Sequence, residues 1–230
     1  GIILANGAER VTLRGNYIGT TRDGLATAAN SISGIDTFTG GADLVVGGAG
    51  AEDGNLLSGN LANGLNVWAD ADNAVIRGNR IGTDRTGTVD LGNSSNGVSL
   101  LAGADDVVIG GSNAGEGNLI SGNGGTGVSL DGNDSTIIQG NFVGTSVDGN
   151  AAIPNSVHGI FVIGGGSTGT QIGGTVPGAG NVISSNPASS IAFLNSGSAT
   201  VAGNILGLRA DGTASLGGTG GRVLVNNSDN

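Results

Sequence analysis

Residues 117–123 read GNLISGN, and close copies of this heptapeptide occur at fixed distances on both sides of it. The other two copies begin at Gly54 and Gly180, so that the three starts are each 63 residues apart. A second motif, GNYIGT in its first copy, alternates with the heptapeptide and starts at Gly15, Gly78, Gly140 and Gly203, at intervals of 63, 62 and 63 residues. Self-similarity at a fixed period is the sequence signature of a repeat protein.

A third pattern divides each 63-residue repeat into two units of about 31 residues. A small residue followed by alternating apolar side chains recurs at intervals of 30 to 33 residues, at Gly1, Gly34, Gly64, Gly97, Gly127, Gly159, Ser190 and Gly221. At six of these starts the first and third following residues are apolar, as in Leu65 and Val67, and their neighbours are mixed. A period of two puts the apolar side chains on one face of a β-strand. Helices would need a period of 3.6 and far less glycine.

Two further short strands are predicted in each unit. One carries apolar pairs such as Val107 and Ile109 just before a Gly-Gly or Gly-Asn corner, and the next strand starts at the Asn of the repeated Gly-Asn pair. Three short strands separated by glycine-rich corners describe one coil of a parallel β-helix. The sequence therefore predicts an all-β, single-stranded right-handed parallel β-helix with about seven to eight coils. We expect residues 1–230 to form one such domain and to be a fragment of a longer chain.

The Asn after the repeated Gly is predicted to point into the core. An apolar residue always follows it two positions later, so both side chains face the same way. A buried amide without partners costs a few kcal/mol, whereas amides stacked from coil to coil satisfy one another in a ladder. The residues predicted to form this ladder are Asn16, Asn55, Asn79, Asn118, Asn141, Asn181 and Asn204.

Composition and charge exclude several classes of partner. The chain has 49 Gly, no Cys, no Met and a formal net charge of −10. Such an acidic chain has no basic stripe for nucleic-acid phosphates or anionic membranes. No apolar run approaches the roughly 18 residues that a membrane helix needs. The sequence thus predicts no nucleic-acid partner, no membrane insertion and no cofactor.

The alternation of the two Gly-Asn motifs resembles the right-handed β-helix repeats of large secreted or surface proteins of bacteria, over the whole chain. The resemblance implies the pectate-lyase-like β-helix fold and an extracellular or cell-surface location. The same architecture serves polysaccharide lyases and hydrolases, phage tailspikes, adhesins and stalks. The fold alone therefore does not decide the activity.

Catalytic groups are sparse in the sequence. The outward positions of the first strand are polar or bland and include one carboxylate, Asp36. Asp105 and Asp106 are adjacent acids without the basic and His partners of a hydrolase, and they are expected to cap a corner. His158 is the sole histidine, and with no acid or nucleophile expected one coil away it is predicted to lie in a solvated turn. We predict that the chain is not an enzyme and has no catalytic residue.

Two repeated loop features suggest binding sites at first and are better explained as turns. Asp-Gly pairs at Asp23, Asp148 and Asp211 are turn signals. Because equivalent loops are two coils apart, about 10 Å, they are not expected to share the six or more oxygens of a Ca²⁺ site. An ice-binding array is also not expected, because the repeated Thr occurs only once per two coils, at Thr20, Thr83 and Thr145.

One outward row is unusually apolar, and it leaves two interpretations open. Either the inserted loops fold over this row, or another subunit packs laterally against it. The members of this outer row, each between a ladder Asn and its aliphatic partner, are Tyr17, Leu56, Arg80, Leu119, Phe142, Val182 and Ile205.

The regular repeat favours a structural role. We expect a non-catalytic rod, stalk, adhesin or filament segment that associates with other copies end to end or laterally. The alternative is a carbohydrate-binding or carbohydrate-active β-helix, which would need a groove with aromatic or acidic side chains. The candidate aromatic residues Tyr17, Trp68 and Phe161 are scattered in the sequence.

Overall fold

The chain winds through three parallel β-sheets that enclose a single apolar column. This architecture is seen in a computed structural model that describes residues 1–101, 103–164, 167–217 and 221–226. Within these ranges the regular elements are strands only. Each coil contributes one strand to each sheet, and every named strand pairs in parallel with its equivalents in the neighbouring coils.

The first sheet has eight strands, which begin each coil: β1 (Ile2–Ile3), β4 (Ile35–Asp36), β7 (Leu65–Val67), β10 (Val98–Leu101), β13 (Val128–Asp131), β16 (His158–Ile163), β19 (Ser189–Leu194) and β22 (Val223–Asn226). The second sheet has seven: β2 (Thr12–Leu13), β5 (Val45–Gly47), β8 (Val75–Arg77), β11 (Val108–Gly110), β14 (Ile137–Gln139), β17 (Thr170–Gly173) and β20 (Ala199–Ala202). The third sheet also has seven: β3 (Tyr17–Ile18), β6 (Leu56–Leu57), β9 (Arg80–Ile81), β12 (Leu119–Ile120), β15 (Phe142–Val143), β18 (Val182–Ile183) and β21 (Ile205–Leu206).

Equivalent aliphatic residues lie directly above one another inside the column. In the first sheet Leu65 pairs with Val98 and Val98 with Val128, and all three are fully buried. The third sheet stacks Ile81 on Ile120 in the same way. The predicted fold class, a parallel β-helix of about 31-residue coils with period-two strands, is confirmed.

The predicted Asn ladder is also confirmed, and it runs without a break from Asn16 to Asn204. The side-chain Nδ2 of each of the first six members donates to Oδ1 of the Asn in the next coil at 2.9 to 3.0 Å. The backbone N–H of each of the first six members donates to the same Oδ1. From the second member onward, Nδ2 also donates to a main-chain carbonyl of the second sheet, such as Ile76 for Asn118. Buried amides are therefore satisfied along the column.

A second Asn ladder, which the sequence analysis did not identify, follows the other end of the third strand. Its members donate Nδ2 to the next Oδ1 at 2.8 to 3.1 Å. All but the first member are nearly or completely buried. The residues of this second ladder are Asn30, Asn60, Asn93, Asn123, Asn155 and Asn186.

Two kinds of inserted loop stand beside the third sheet. Short hairpins follow alternate third strands, at residues 20–27, 83–90, 145–152 and 208–215, and each closes with an antiparallel bridge. Glycine-rich loops precede the other third strands, at residues 47–54, 110–117 and 173–180. The two kinds alternate along the axis as the 63-residue repeat predicts, and each kind forms a wall.

The hairpins touch one another, contrary to the expected separation of about 10 Å between equivalent loops. The N–H of Arg85 donates to the carbonyl oxygen of Gly24 at 3.0 Å, and Val147 donates to Gly87 at 3.0 Å. Each hairpin thus bridges the height of two coils. The expected gap was wrong because it treated the loops as flat extensions of their own coils.

Candidate functional site

The outer row of the third sheet forms the floor between the two loop walls. Leu56, Leu119 and Val182 are buried, whereas the ring of Tyr17 is 45% exposed. The hairpins supply the cover, since a side chain at Gly24 would come within 2.9 Å of both the Tyr17 ring and Arg85. The inserted loops therefore fold over the middle of the outer row. Little exposed apolar surface is left there for another subunit to pack against laterally.

Two adjoining clefts remain open along this floor. The smaller has a volume of about 280 Å³ and is lined by Tyr17, Glu52, Arg80 and Arg85 among others. The larger, of about 500 Å³, lies between the glycine-rich loops and Phe142, and Arg80 lines it too. Arg80 thus borders both clefts. We call the two clefts together the groove of the third sheet.

Arg80 and Arg85 form no direct ion pair among the described residues, although Arg85 is near enough to Asp23 to help lower the pKa of that carboxyl. The ion pairs among the described residues join Arg10 with Glu9, Arg14 with Asp53, and Arg77 with Glu116 at 3.0 Å, so that neither cleft arginine takes part. The Nε atom of Arg80 is buried and has no hydrogen-bond acceptor. An unpaired guanidinium in a cleft can bind an anionic group.

A cluster of aromatic and polar side chains lies on the outer face of the first sheet. Nε1 of Trp68 donates to Oδ1 of Asp36 at 2.9 Å, and Nδ2 of Asn66 donates to Oδ2 of the same carboxylate at 3.2 Å. The Phe38 ring, 63% exposed, meets the Trp68 ring edge-on with a centroid distance of 6.2 Å. Trp68, Tyr17 and Phe161 lie in different places, as the sequence indicated, but Phe38 was missed as the partner of Trp68.

His158 does have a nucleophile-type neighbour one coil away, which corrects the sequence-based expectation. Its Nδ1 lies 2.7 Å from Oγ of Ser189, its register partner on β19. The imidazole is half-buried in β16, not in a turn, and stacks on Phe161 at 5.0 Å. Burial, with a smaller effect from Arg222, lowers the pKa of His158. Ser189 is fully buried, and within the described ranges no acidic side chain bonds to the imidazole.

The acidic pair caps a corner, as predicted. The N–H of Asp105 donates to the Asp72 carboxylate at 2.9 Å, and the Asp105 carboxylate accepts from the N–H of Asp134 at 2.8 Å. Asp106 occupies a left-handed turn position with φ of 55°. The Asp72 and Asp105 carboxylates thus follow one another along an edge as backbone acceptors, and neither takes part in an ion pair among the described residues.

The hairpin carboxylates serve the turns that the Asp-Gly pairs predicted. Oδ1 of Asp23 accepts from the N–H of Leu25 at 3.1 Å and from the Thr21 hydroxyl at 2.5 Å. In the hairpin that lacks Asp-Gly the two side chains exchange places, because the Thr86 hydroxyl donates to the Asp84 carboxylate at 2.8 Å. Each of these two hairpins therefore keeps one Asp–Thr hydrogen bond, with the two residue types in opposite order.

These hydrogen bonds make the hairpins sensitive to acid. Burial raises the pKa of Asp84, but donors from Thr86, Val89 and Thr88 outweigh it and lower that pKa below the ordinary value of 3.8. Hydrogen bonds likewise lower the pKa of Asp23, Asp148 and Asp211. A lowered pKa in the folded state stabilises the fold above the unfolded-state value, and this contribution is lost as the pH falls through the lowered pKa.

We expect the free energy of unfolding to decrease below about pH 4, and Asp84→Asn to reduce that dependence. Urea unfolding at a series of pH values from 7 to 2 measures both effects. Asp43→Asn is the matched control, because the Asp43 carboxylate accepts no hydrogen bond from the residues that the structure describes. An unchanged acid dependence in Asp84→Asn would contradict the assigned role.

The described residues show no metal-binding cluster and no membrane-spanning helix. They contain no group of three or more His, Cys, Asp or Glu side chains that could hold a metal ion. None of their elements is a helix of sufficient length and apolarity to span a bilayer. Thr83 and Thr145 are fully buried, so that the repeated Thr does not form an exposed array.

The candidate sites are thus a groove on the third sheet, an aromatic cluster on the first sheet and a buried His–Ser pair. Chemically, the groove offers cationic donors and one exposed ring, the cluster offers apolar rings beside a carboxylate, and the His–Ser pair lacks an acid and access. Comparison with known proteins adds no candidate, because no family model, no curated protein and no solved structure matches the chain.

Proposed function

We propose that the chain is a non-catalytic structural module, a rigid rod or stalk segment of a secreted or cell-surface protein. The observation that carries the proposal is the pair of Asn ladders that run from coil to coil without interruption. In a repeat protein each coil contacts mainly its neighbours, so continuous ladders couple the coils along the axis. A catalytic site on this scaffold would be expected to interrupt that regularity, as functional sites often break local rules.

Several features support the location and the family that we propose. The Gly-Asn repeats resemble the pectate-lyase-like β-helix regions of large secreted bacterial proteins, and the chain lacks the oxidisable residues Cys and Met. A narrow column of stacked coils suits a segment of an adhesin or of a filament. Association of copies end to end or side by side is part of the proposal, although the hairpins cover much of the outer row that a lateral contact would use.

The test is a screen for polysaccharide cleavage. We expect no new reducing ends and no unsaturated products when the protein is incubated with neutral and acidic polysaccharides, with and without Ca²⁺. The His158–Ser189 pair lacks an acidic partner and Ser189 is buried, so His158→Ala should give the same blank rate. Turnover that disappears in His158→Ala, or any reproducible cleavage, would contradict the structural proposal.

A second candidate function, carbohydrate binding, is favoured by the Trp68 cluster. The exposed Phe38 ring and the half-buried Trp68 ring lie beside a carboxylate and an amide, and together they offer stacking and hydrogen bonds to a sugar. Binding measurements with the same neutral and acidic polysaccharides distinguish carbohydrate binding from a purely structural role. Binding without cleavage that is lost in Trp68→Ala would favour this candidate, whereas no binding leaves the structural role.

A further inference from the structure

Arg80 lies at the centre of the groove on the third sheet. Register places it between Leu56 and Leu119 on the neighbouring strands, and these two leucines are only 3% and 4% exposed. It lines both clefts, with Tyr17 two strands away on one side and Phe142 two strands away on the other. Strand spacing puts each of these rings roughly 10 Å along the axis from Arg80.

The charge of this arginine is unusual for its setting. The chain has 18 acidic and 8 basic residues, yet no carboxylate in the part of the chain that the structure describes forms an ion pair with Arg80. Arg85 also forms no ion pair there, but it interacts at longer range with Asp23. Nε of Arg80 is buried and has no acceptor, so that a ligand in either cleft would have to meet this side chain through its Nη groups. Glu52, the one acidic side chain in the lining of the smaller cleft, makes no ion pair with either arginine.

We propose that this groove binds the carboxylate of a sparsely charged glycan, with Arg80 as the principal anion-binding residue and Arg85 assisting. A planar guanidinium matches a carboxylate through paired N–H donors, which is the geometry that arginine provides and lysine does not. The exposed Tyr17 ring gives an adjacent sugar an apolar face to stack on. The groove crosses several coils, so an extended chain fits it better than a compact ion.

Overall charge limits the ligand to few anionic groups. A net charge of −10 and the nearby Glu52 repel a dense polyanion, whereas one carboxylate within about 8 Å of Arg80 interacts mainly with that guanidinium at physiological salt. The ligand class is therefore a linear oligosaccharide in which a uronic acid alternates with neutral sugars. This inference stands apart from the structural role, which would hold whether or not the groove binds a glycan.

Isothermal titration calorimetry tests the proposal with a tetrasaccharide of alternating glucuronic acid and N-acetylglucosamine. We expect measurable binding by the native chain and a loss of at least about tenfold in affinity for Arg80→Gln, which removes a charge-assisted pair. The carboxyl-reduced tetrasaccharide should bind at least about tenfold more weakly to the native chain. Acetate and sulfate are titrated separately to distinguish a free ion from a glycan-borne group, and polygalacturonate should not compete.

Matched variants separate the site from general charge effects. Arg22→Gln removes the same charge from an exposed hairpin tip and should bind like the native chain, whereas Glu52→Gln should bind more tightly. If Arg80→Gln does not fold by circular dichroism, Arg85→Gln takes its place with a smaller expected loss. No binding by the native chain, equal losses in Arg80→Gln and Arg22→Gln, or equal affinity for acetate and the tetrasaccharide would each overturn the proposal.

Discussion

Replacing Asn118 with alanine is expected to lower the free energy of unfolding by about 4 kcal/mol, a large effect for a single substitution. Asn118 is fully buried in the middle of the first ladder. Its Oδ1 accepts from both N and Nδ2 of Asn79 at 3.0 Å, and its Nδ2 donates to Asn141 at 2.9 Å and to the Ile76 carbonyl at 2.8 Å. Alanine removes all four bonds made by the side chain.

The expected size follows from the groups that alanine leaves behind. The buried N–H of Asn79 loses its acceptor, the Nδ2 group of Asn79 keeps only the Val46 and Arg77 carbonyls, and the Ile76 carbonyl loses one donor. Each buried unsatisfied group costs about 1–3 kcal/mol, and the narrow column has little room for water to replace the amide. Urea unfolding followed by circular dichroism gives the midpoint and the slope, and the slope should change little.

Two further variants show whether the ladder or the volume matters. Asn150→Ala alters an exposed Asn at a hairpin tip and should change stability by no more than about 0.5 kcal/mol. Asn118→Asp keeps the size but turns the donor group into an acceptor that faces the Ile76 carbonyl and Oδ1 of Asn141. It should be at least as destabilising as alanine at neutral pH. Near-native stability of Asn118→Asp would show that the ladder bonds contribute little.

Sequence periodicity was sufficient for the fold and for one ladder, because the same local motif carries every member. The second ladder was missed although Asn60, Asn123 and Asn186 end the repeated heptapeptide. Its alternate members, such as Asn93 and Asn155, follow hairpins and lack that context. The Asn residues that end the heptapeptide and those that follow hairpins alternate only when the coils are stacked. The sequence motif therefore marks this second ladder in only half of the coils.

The candidate sites depend on contacts between coils that local motifs do not encode. Ser189 stands two residues before Ile191, as His158 stands before Ile160, so this pair could have been read from the register. The groove could not, because its walls come from loops in different coils that meet over the third sheet. The swapped order of Asp84 and Thr86, compared with Thr21 and Asp23, was also not recognised from the sequence. The hydrogen bond between Asp and Thr is kept in both hairpins, but the positions of the two residue types are not.

Gly110→Ala is expected to be at least as damaging as the loss of a ladder residue, with a decrease of more than about 4 kcal/mol in the free energy of unfolding. Gly110 has a φ of +89°, and an added Cβ would overlap the Gln139 carbonyl oxygen and lie 2.6 Å from Oδ1 of Asn141. Gly47 and Gly173 hold the same position in the other glycine-rich loops. Relief of the overlap requires the next coil to move away, which weakens the ladder at Asn141.

Gly132→Ala isolates the backbone contribution to this effect. Gly132 has a similarly left-handed φ of +71°, but an added Cβ would meet nothing within 4 Å. Its cost should be the conformational strain alone, about 1–2 kcal/mol. Because the two variants share the strain, the difference in their unfolding free energies measures how closely the coils at Gly110 approach. A difference near zero would mean that neighbouring coils can separate at this corner without loss, and the tight stacking on which both ladders depend would be wrong.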